Sequence, residues 1–179
     1  MSDRIEGFAP VYDAHSRVLI LGSFPSVQSR RVDFYYGNRQ NRFWWMLFSF
    51  FGETLQEDTA AKRAFLARRH IALWDVVTAC RIRGSADASI RDAEIADVPR
   101  LLREAPVELI LCNGTAAYSI FCSRFADCGV RCLRMPSTSP ANPRYRSEPW
   151  FAALSGVFGD LQSTMSHINQ SYRGQYEDI

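Results

Sequence analysis

An α/β fold with a parallel sheet covered on both faces is predicted for this chain by two observations. Four short apolar runs are each followed by a turn or polar loop, and the segments between them carry helical periodicity. The runs are Val18 to Leu21, Ile71 to Trp74, Val107 to Cys112 and Val130 to Leu133, all short enough for buried strands. Phe43 to Phe51 reads as a helix stopped by Gly52, and Thr59 to Arg69 as a second with Asp58 as its N-cap. Asp97 ahead of Val98-Pro99 starts a third, with Leu101 and Leu102 facing inward and Pro106 ending it. Thr115 to Phe125 is a fourth, with Ala116, Ile120 and Phe121 or Phe125 on its buried side. The last begins near Ser147-Glu148-Pro149 and runs through Trp150, Leu154, Phe158 and Leu161.

The chain of 179 residues has no composition break, so residues 1–162 are expected to form one domain and 163–179 a polar C-terminal tail. Hydrophobic residues make up 47% and charged residues 22%, and no apolar stretch approaches the roughly 20 residues needed to span a bilayer. Met1-Ser2-Asp3-Arg4 does not start a secretory signal, which predicts a cytoplasmic location. The five cysteines lack paired CxxC hooks and fit reduced, buried thiols rather than a zinc or iron–sulfur site. No metal, cofactor or membrane is expected, and a monomer is.

A net charge of +2 does not by itself indicate nucleic acid. The arginines gather, however, at Arg30-Arg31, Arg39 to Arg42, Arg81 to Arg83 and Arg144 to Arg146, in stretches that read as loops after strands. The acids lie chiefly at Glu53 to Asp58 and Asp87 to Glu104, and this segregation predicts a basic face.

The segments following the four strands are Gly22-Ser23-Phe24-Pro25-Ser26, Asp75, Asn113-Gly114, and Pro136 to Asn142. A parallel sheet places them all at one edge, where α/β proteins bind ligands. Small hydroxyls, amides and backbone donors, with Tyr35-Tyr36 nearby, suit a flat polar ring such as a nucleobase better than a phosphate alone.

Taken in order, Gly22 to Ser26, Tyr35-Tyr36 with Asn41-Arg42-Phe43-Trp44, Leu73-Trp74-Asp75-Val76, Asn113-Gly114 and Pro136 to Asn142 resemble the uracil-DNA glycosylase superfamily. The branch they resemble most is that of the hypoxanthine-DNA (DNA-deoxyinosine) glycosylases. The resemblance implies a three-layer α/β/α sandwich on a four-stranded parallel sheet. It also implies a monofunctional enzyme that flips a deaminated base from damaged DNA and hydrolyses its N-glycosidic bond. The lesion is most simply hypoxanthine, with uracil or xanthine as alternatives.

Roles for individual residues follow from the same resemblance. Where other branches carry a water-activating Asp or Asn in the first loop, this chain has Phe24. The catalytic task then falls to Asn41, whose type and place also suit a helix N-cap. Gly22, Ser23, Phe24, Pro25 and Ser26 would line the lesion pocket, Tyr36 would stack on the base, and Asp75 and Asn113 would meet its edge or tie off turns. Ser137, Ser139, Pro140, Asn142, Arg144 and Tyr145 would engage DNA beside the lesion, as would Arg81 and Arg83.

Several superfamily members carry a His in the last signature, where this chain has Met135-Pro136, and His15, His70 and His167 all fall outside the motifs. The only lysine, Lys62, sits on a predicted surface helix, so no amine is at hand for a lyase reaction. Two readings compete: a non-catalytic nucleic-acid-binding module on the same fold, and a doubly wound nucleotide enzyme. The second lacks any GxGxxG or GxxxxGK[ST] pattern.

Overall fold

The computed structural model describes residues 4–159. Chain order gives strands β1 (Arg4–Glu6) and β2 (Val18–Gly22), then helices α1 (Val27–Val32), α2 (Phe43–Phe50) and α3 (Thr59–Arg68). Strands β3 (Ile71–Asp75), β4 (Val77–Arg81) and β5 (Arg91–Ile95) follow, with a 3-10 turn at Asp87–Ser89 before β5. Helix α4 (Val98–Glu104), β6 (Leu109–Asn113), α5 (Thr115–Phe125), β7 (Arg131–Met135) and α6 (Glu148–Phe158) complete the fold.

The central sheet has four parallel strands in the order β3-β2-β6-β7. All five residues of β2 are buried, and successive side chains go to opposite faces. Val18 and Ile20 join Ile71, Leu73 and Leu111 under α2, α3 and α6, while Leu19 and Leu21 join Ile110 and Cys112 under α4 and α5. That division makes the three layers.

Local signals set the helix ends. The Asp58 carboxylate accepts the Ala61 amide at 2.8 Å and caps α3, and Asp97 accepts the Arg100 amide at 3.1 Å to start α4. Helix α6 ends at Phe158, followed by Gly159 in the left-handed region (φ 81°), short of the expected Leu161, which lies outside the described residues with the 163–179 tail. On α5 the fully buried side chains are Ala117 and Phe121, with Ala116, Ile120 and Phe125 only partly covered.

The structure corrects three expectations. A second sheet, antiparallel in the order β1-β4-β5, occupies stretches expected to be loop. Arg81 therefore ends a strand, paired with Asp92 at 3.3 Å, and Arg30 and Arg31 lie in the last turn of α1. Lys62 is buried: its ammonium lies 5.2 Å from the Trp44 ring and 3.7 Å from Glu57.

Trp150 ties α6 to the sheet. It is fully buried, and its indole N–H donates to the Pro136 carbonyl at 2.9 Å. Trp150→Ala is expected to cost about 3–5 kcal/mol of stability, read by urea unfolding.

Candidate active site

The parallel strands end together at Gly22, Asp75, Asn113 and Met135, and the cleft opens over those ends. Gly22 through Ser26 form one wall, and Ser137 to Ser139 stand opposite beyond Asn113. Tyr35, Tyr36 and Asn41 close a third side, and Ser85 with Asp87 reach in from the loop between β4 and β5.

Gly22 is required by close approach. A Cβ there would lie 2.2 Å from Asp75 Oδ1 and 3.2 Å from the Tyr36 hydroxyl. Tyr36 has φ 53°, a left-handed conformation uncommon for an aromatic residue. One face of its ring stacks on Phe43, centroids 3.8 Å apart, while the hydroxyl goes into the buried space beside Gly22 and Asp75.

The N-cap of α2 is Arg42, which makes no side-chain cap bond, so Asn41 stands one residue ahead of the expected capping position and braces the turn into the helix instead. Its Oδ1 accepts the amide of Phe43, the first residue of α2, at 3.0 Å, and its side chain still borders the cleft. That bond fixes the amide while leaving a second oxygen lone pair and the NH2 group for other partners. Helix start and cleft residue are therefore compatible roles for one side chain.

Thr138, which the sequence did not single out, is the hub of the opposite wall. It is fully buried, its amide donates to Asn113 Oδ1 at 2.9 Å, and its hydroxyl accepts from Asn113 Nδ2 at 2.8 Å. Its carbonyl accepts the Arg42 amide at 3.1 Å. The Arg42 guanidinium donates to the carbonyls of Ser139 (3.0 Å) and Asn142 (3.1 Å) and lies 5.1 Å from the Tyr145 ring. Asn41 and the 137–142 loop are thus braced against each other through the residue next to Asn41. Thr138→Val keeps the shape but leaves Asn113 Nδ2 without its acceptor, and is expected to destabilise by about 1–3 kcal/mol in urea unfolding.

The cleft is acidic at its floor and mouth. Asp75 is 5% exposed and its Oδ2 has no hydrogen-bond partner among the described residues. Burial, reinforced by the charge of Asp87, pushes its carboxyl up to about 8, so it is largely neutral at pH 7. Burial and Asp75 likewise raise the phenols of Tyr35 and Tyr36 well above their usual range. Asp87, expected away from the site, accepts a 2.6 Å hydrogen bond from the Ser23 hydroxyl. A neutral carboxyl at the floor suits a neutral polar ring, and Asp87 at the mouth disfavours a phosphate.

The residues Gly22, Ser23, Phe24, Pro25, Ser26, Tyr36, Asn41, Asp75, Asn113, Ser137 and Ser139 therefore meet in one cleft. Pro140, Asn142, Arg144, Tyr145, Arg81 and Arg83 do not line it. Asn142 braces the loop by donating to the Ser137 carbonyl at 2.9 Å, and Tyr145 turns inward with its hydroxyl buried. Arg83 and Arg144 are exposed. His15 and His70 are exposed away from the cleft, their rings 6.3 Å apart, and His167 lies outside the described residues. Among the described residues no group of three or more His, Cys, Asp or Glu side chains could hold a metal, and no helix is long and apolar enough to cross a membrane.

A cleft at the carboxyl edge of a four-stranded parallel sheet, walled by these loops in this order, defines a class. The chain belongs to the uracil DNA glycosylase superfamily, whose family model matches residues 9–155. Within it, the chain is 35% identical over 152 residues to a Methanosarcina acetivorans protein named Hypoxanthine DNA glycosylase, covering 83% of this chain and 96% of that one. A Methanosarcina barkeri protein of the same name is 42% identical over 111 residues, covering 61% of this chain and 70% of that one. The fold matches the solution NMR structure of a candidate uracil DNA glycosylase from Methanosarcina acetivorans, with a TM-score of 0.75 and 36% identity over 89% of this chain and 99% of that one.

Proposed function

We propose that this chain is a monofunctional DNA glycosylase that flips hypoxanthine out of DNA and hydrolyses its bond to deoxyribose. The observation that carries the reading is the meeting, in one cleft, of a fixed Asn41 amide, a neutral buried carboxyl and the small-residue wall Gly22 to Ser26. The names of the Methanosarcina relatives point to the same lesion.

In this mechanism the flipped base enters over Gly22, where the missing side chain leaves room beside Asp75 and Tyr36. Extrusion is cheapest for a weakly paired base, which contributes to lesion choice. Breaking the glycosidic bond develops positive charge on the sugar, which needs a placed water more than a strong nucleophile. Asn41 holds that water through its free lone pair, and Asp75 and Asn113 address the base edge. Phe24 and Tyr36 enclose the ring, Ser137, Ser139 and Pro140 approach the backbone beside it, and Asn142 holds that loop in shape. Arg144, Arg83 and Arg81 contribute to the charge that meets DNA, and Tyr145 supports Arg42 from below. Lys62 is held away from the cleft, which supports hydrolysis by water rather than an amine. The enzyme acts as a monomer in the cytoplasm, consistent with its five free thiols.

Single-turnover rates on duplexes carrying one deoxyinosine, deoxyuridine or deoxyxanthosine test the reading. The expected order puts deoxyinosine first. A higher rate on deoxyuridine would move the chain to uracil, and binding without base loss from any of them would make it a binding module.

A further inference from the structure

We propose that Asp75 is the general acid of the reaction, delivering a proton to the purine as it leaves. The inference rests on the glycosylase reading above and adds to it a source for leaving-group protonation, since no imidazole among the described residues lines the cleft.

Position comes first. Asp75 ends β3 directly beside Gly22 of β2, and the absent Cβ at Gly22 is what opens the carboxyl to the cleft. The side chain is almost wholly buried, it lines the cleft, and Oδ2 has no partner among the described residues. An unpartnered buried carboxyl oxygen is costly to fold, and a ligand that meets it removes that cost. The ionisable groups around it are Tyr35 and Tyr36 from the loop after α1 and Asp87 from the 87–89 turn; β2 contributes only Gly22 at this level. Arg63 acts on Tyr35 rather than on Asp75. With the nearest charge an acid and the rest phenols, the carboxyl keeps its proton to about pH 8. Both phenols are weaker acids still, and Asp87 is exposed at the mouth, so Asp75 is the proton source the cleft offers.

The step balances. The C1′–N9 bond breaks and its electron pair goes to the base. The Asp75 O–H bond breaks, its proton passes to a heteroatom of the purine, and the base leaves neutral with Asp75 as carboxylate. Water adds through oxygen to C1′ and releases one proton, which restores the Asp75 acid. Protonation by a placed acid is typically worth about 10²–10⁴-fold in rate.

The test is single-turnover base release from a deoxyinosine duplex between pH 5.5 and 10, for wild type and Asp75→Asn. Asn has nearly the same shape and can donate a hydrogen bond but cannot give up a proton, so it separates binding from proton transfer. The wild-type rate is expected to fall about tenfold per pH unit above about pH 8. Asp75→Asn is expected to be about a hundredfold slower at pH 7, without the alkaline limb and with duplex affinity unchanged. It should also melt no lower than wild type at pH 7, because it removes a buried group that must neutralise to fold. An Asp75→Asn enzyme with the full rate, or one that keeps the alkaline limb, overturns the inference, since the limb then belongs to the substrate or another group. A wild-type rate flat to pH 9.5 overturns it even without the variant. Wild-type protein that binds the duplex but releases no base at any pH removes the glycosylase reading, and this inference with it.

Discussion

Asn41→Ala is expected to lower single-turnover base release by about a hundredfold to a thousandfold while duplex affinity stays within about threefold. The side chain does two things, and the variant loses both. Its Oδ1 accepts the Phe43 amide at the start of α2, and the loss of such a hydrogen bond costs about 1 kcal/mol. The same group borders the cleft, where in the proposed mechanism it would fix the attacking water. Asn41→Asp separates the two effects, because an Asp carboxylate accepts the same amide hydrogen bond. Stability in urea should return to the wild-type value in that variant, while the rate reports the cleft chemistry alone. If Asn41→Ala loses stability but keeps its rate, Asn41 braces the turn into α2 and does nothing more.

Gly22→Ala carries the second large effect. The new methyl group would stand 2.2 Å from Asp75 Oδ1, inside any possible contact, and 3.2 Å from the Tyr36 hydroxyl. The methyl forces the Asp75 carboxyl to turn away, so the variant displaces the group that meets the base in the proposed mechanism. A misplacement of this size costs about a hundredfold in rate. Because the methyl also fills space the base would occupy, KM for the lesion duplex should rise as kcat falls. A variant with wild-type kinetics on deoxyinosine would show that the base does not approach this edge.

Much of this arrangement is legible in the chain, for particular physical reasons. Each parallel strand is a short apolar run closed by a small or polar residue, and the parallel rule then sends Gly22, Asp75 and Asn113 to one edge without further information. The helices announce themselves through Asp58, Asp97 and Glu148-Pro149. The second sheet does not. Only Val76 separates β3 from β4, so the two strands read as one run and its loop, and β5 (Arg-Asp-Ala-Glu-Ile) is almost wholly exposed and shows no apolar alternation. Missing it hid the return of Ser85 and Asp87 to the cleft, since a loop's destination depends on the strands that flank it.

Thr138 was hidden for another reason. Its burial comes from Asn113 and Arg42, residues 25 and 96 positions away in sequence, and nothing local distinguishes it from Ser137 or Ser139. Arg42 reads as one more surface arginine until its guanidinium is seen holding two carbonyls of the opposite loop. Asp75 ends its strand as the sequence predicts, but the burial that raises its carboxyl is not legible there: a strand-ending Asp normally closes a turn in water, whereas this one is 5% exposed beside Tyr36 and Gly22.

Mass spectrometry of the products from a duplex carrying one deoxyinosine, after a single turnover with wild-type protein, decides whether this chain excises the base by hydrolysis. Free hypoxanthine in equal amount to an unbroken strand bearing an abasic site is the predicted result. An intact deoxyinosine strand, or a strand cut at the lesion without hydrolytic base loss, would rule out a monofunctional hypoxanthine glycosylase.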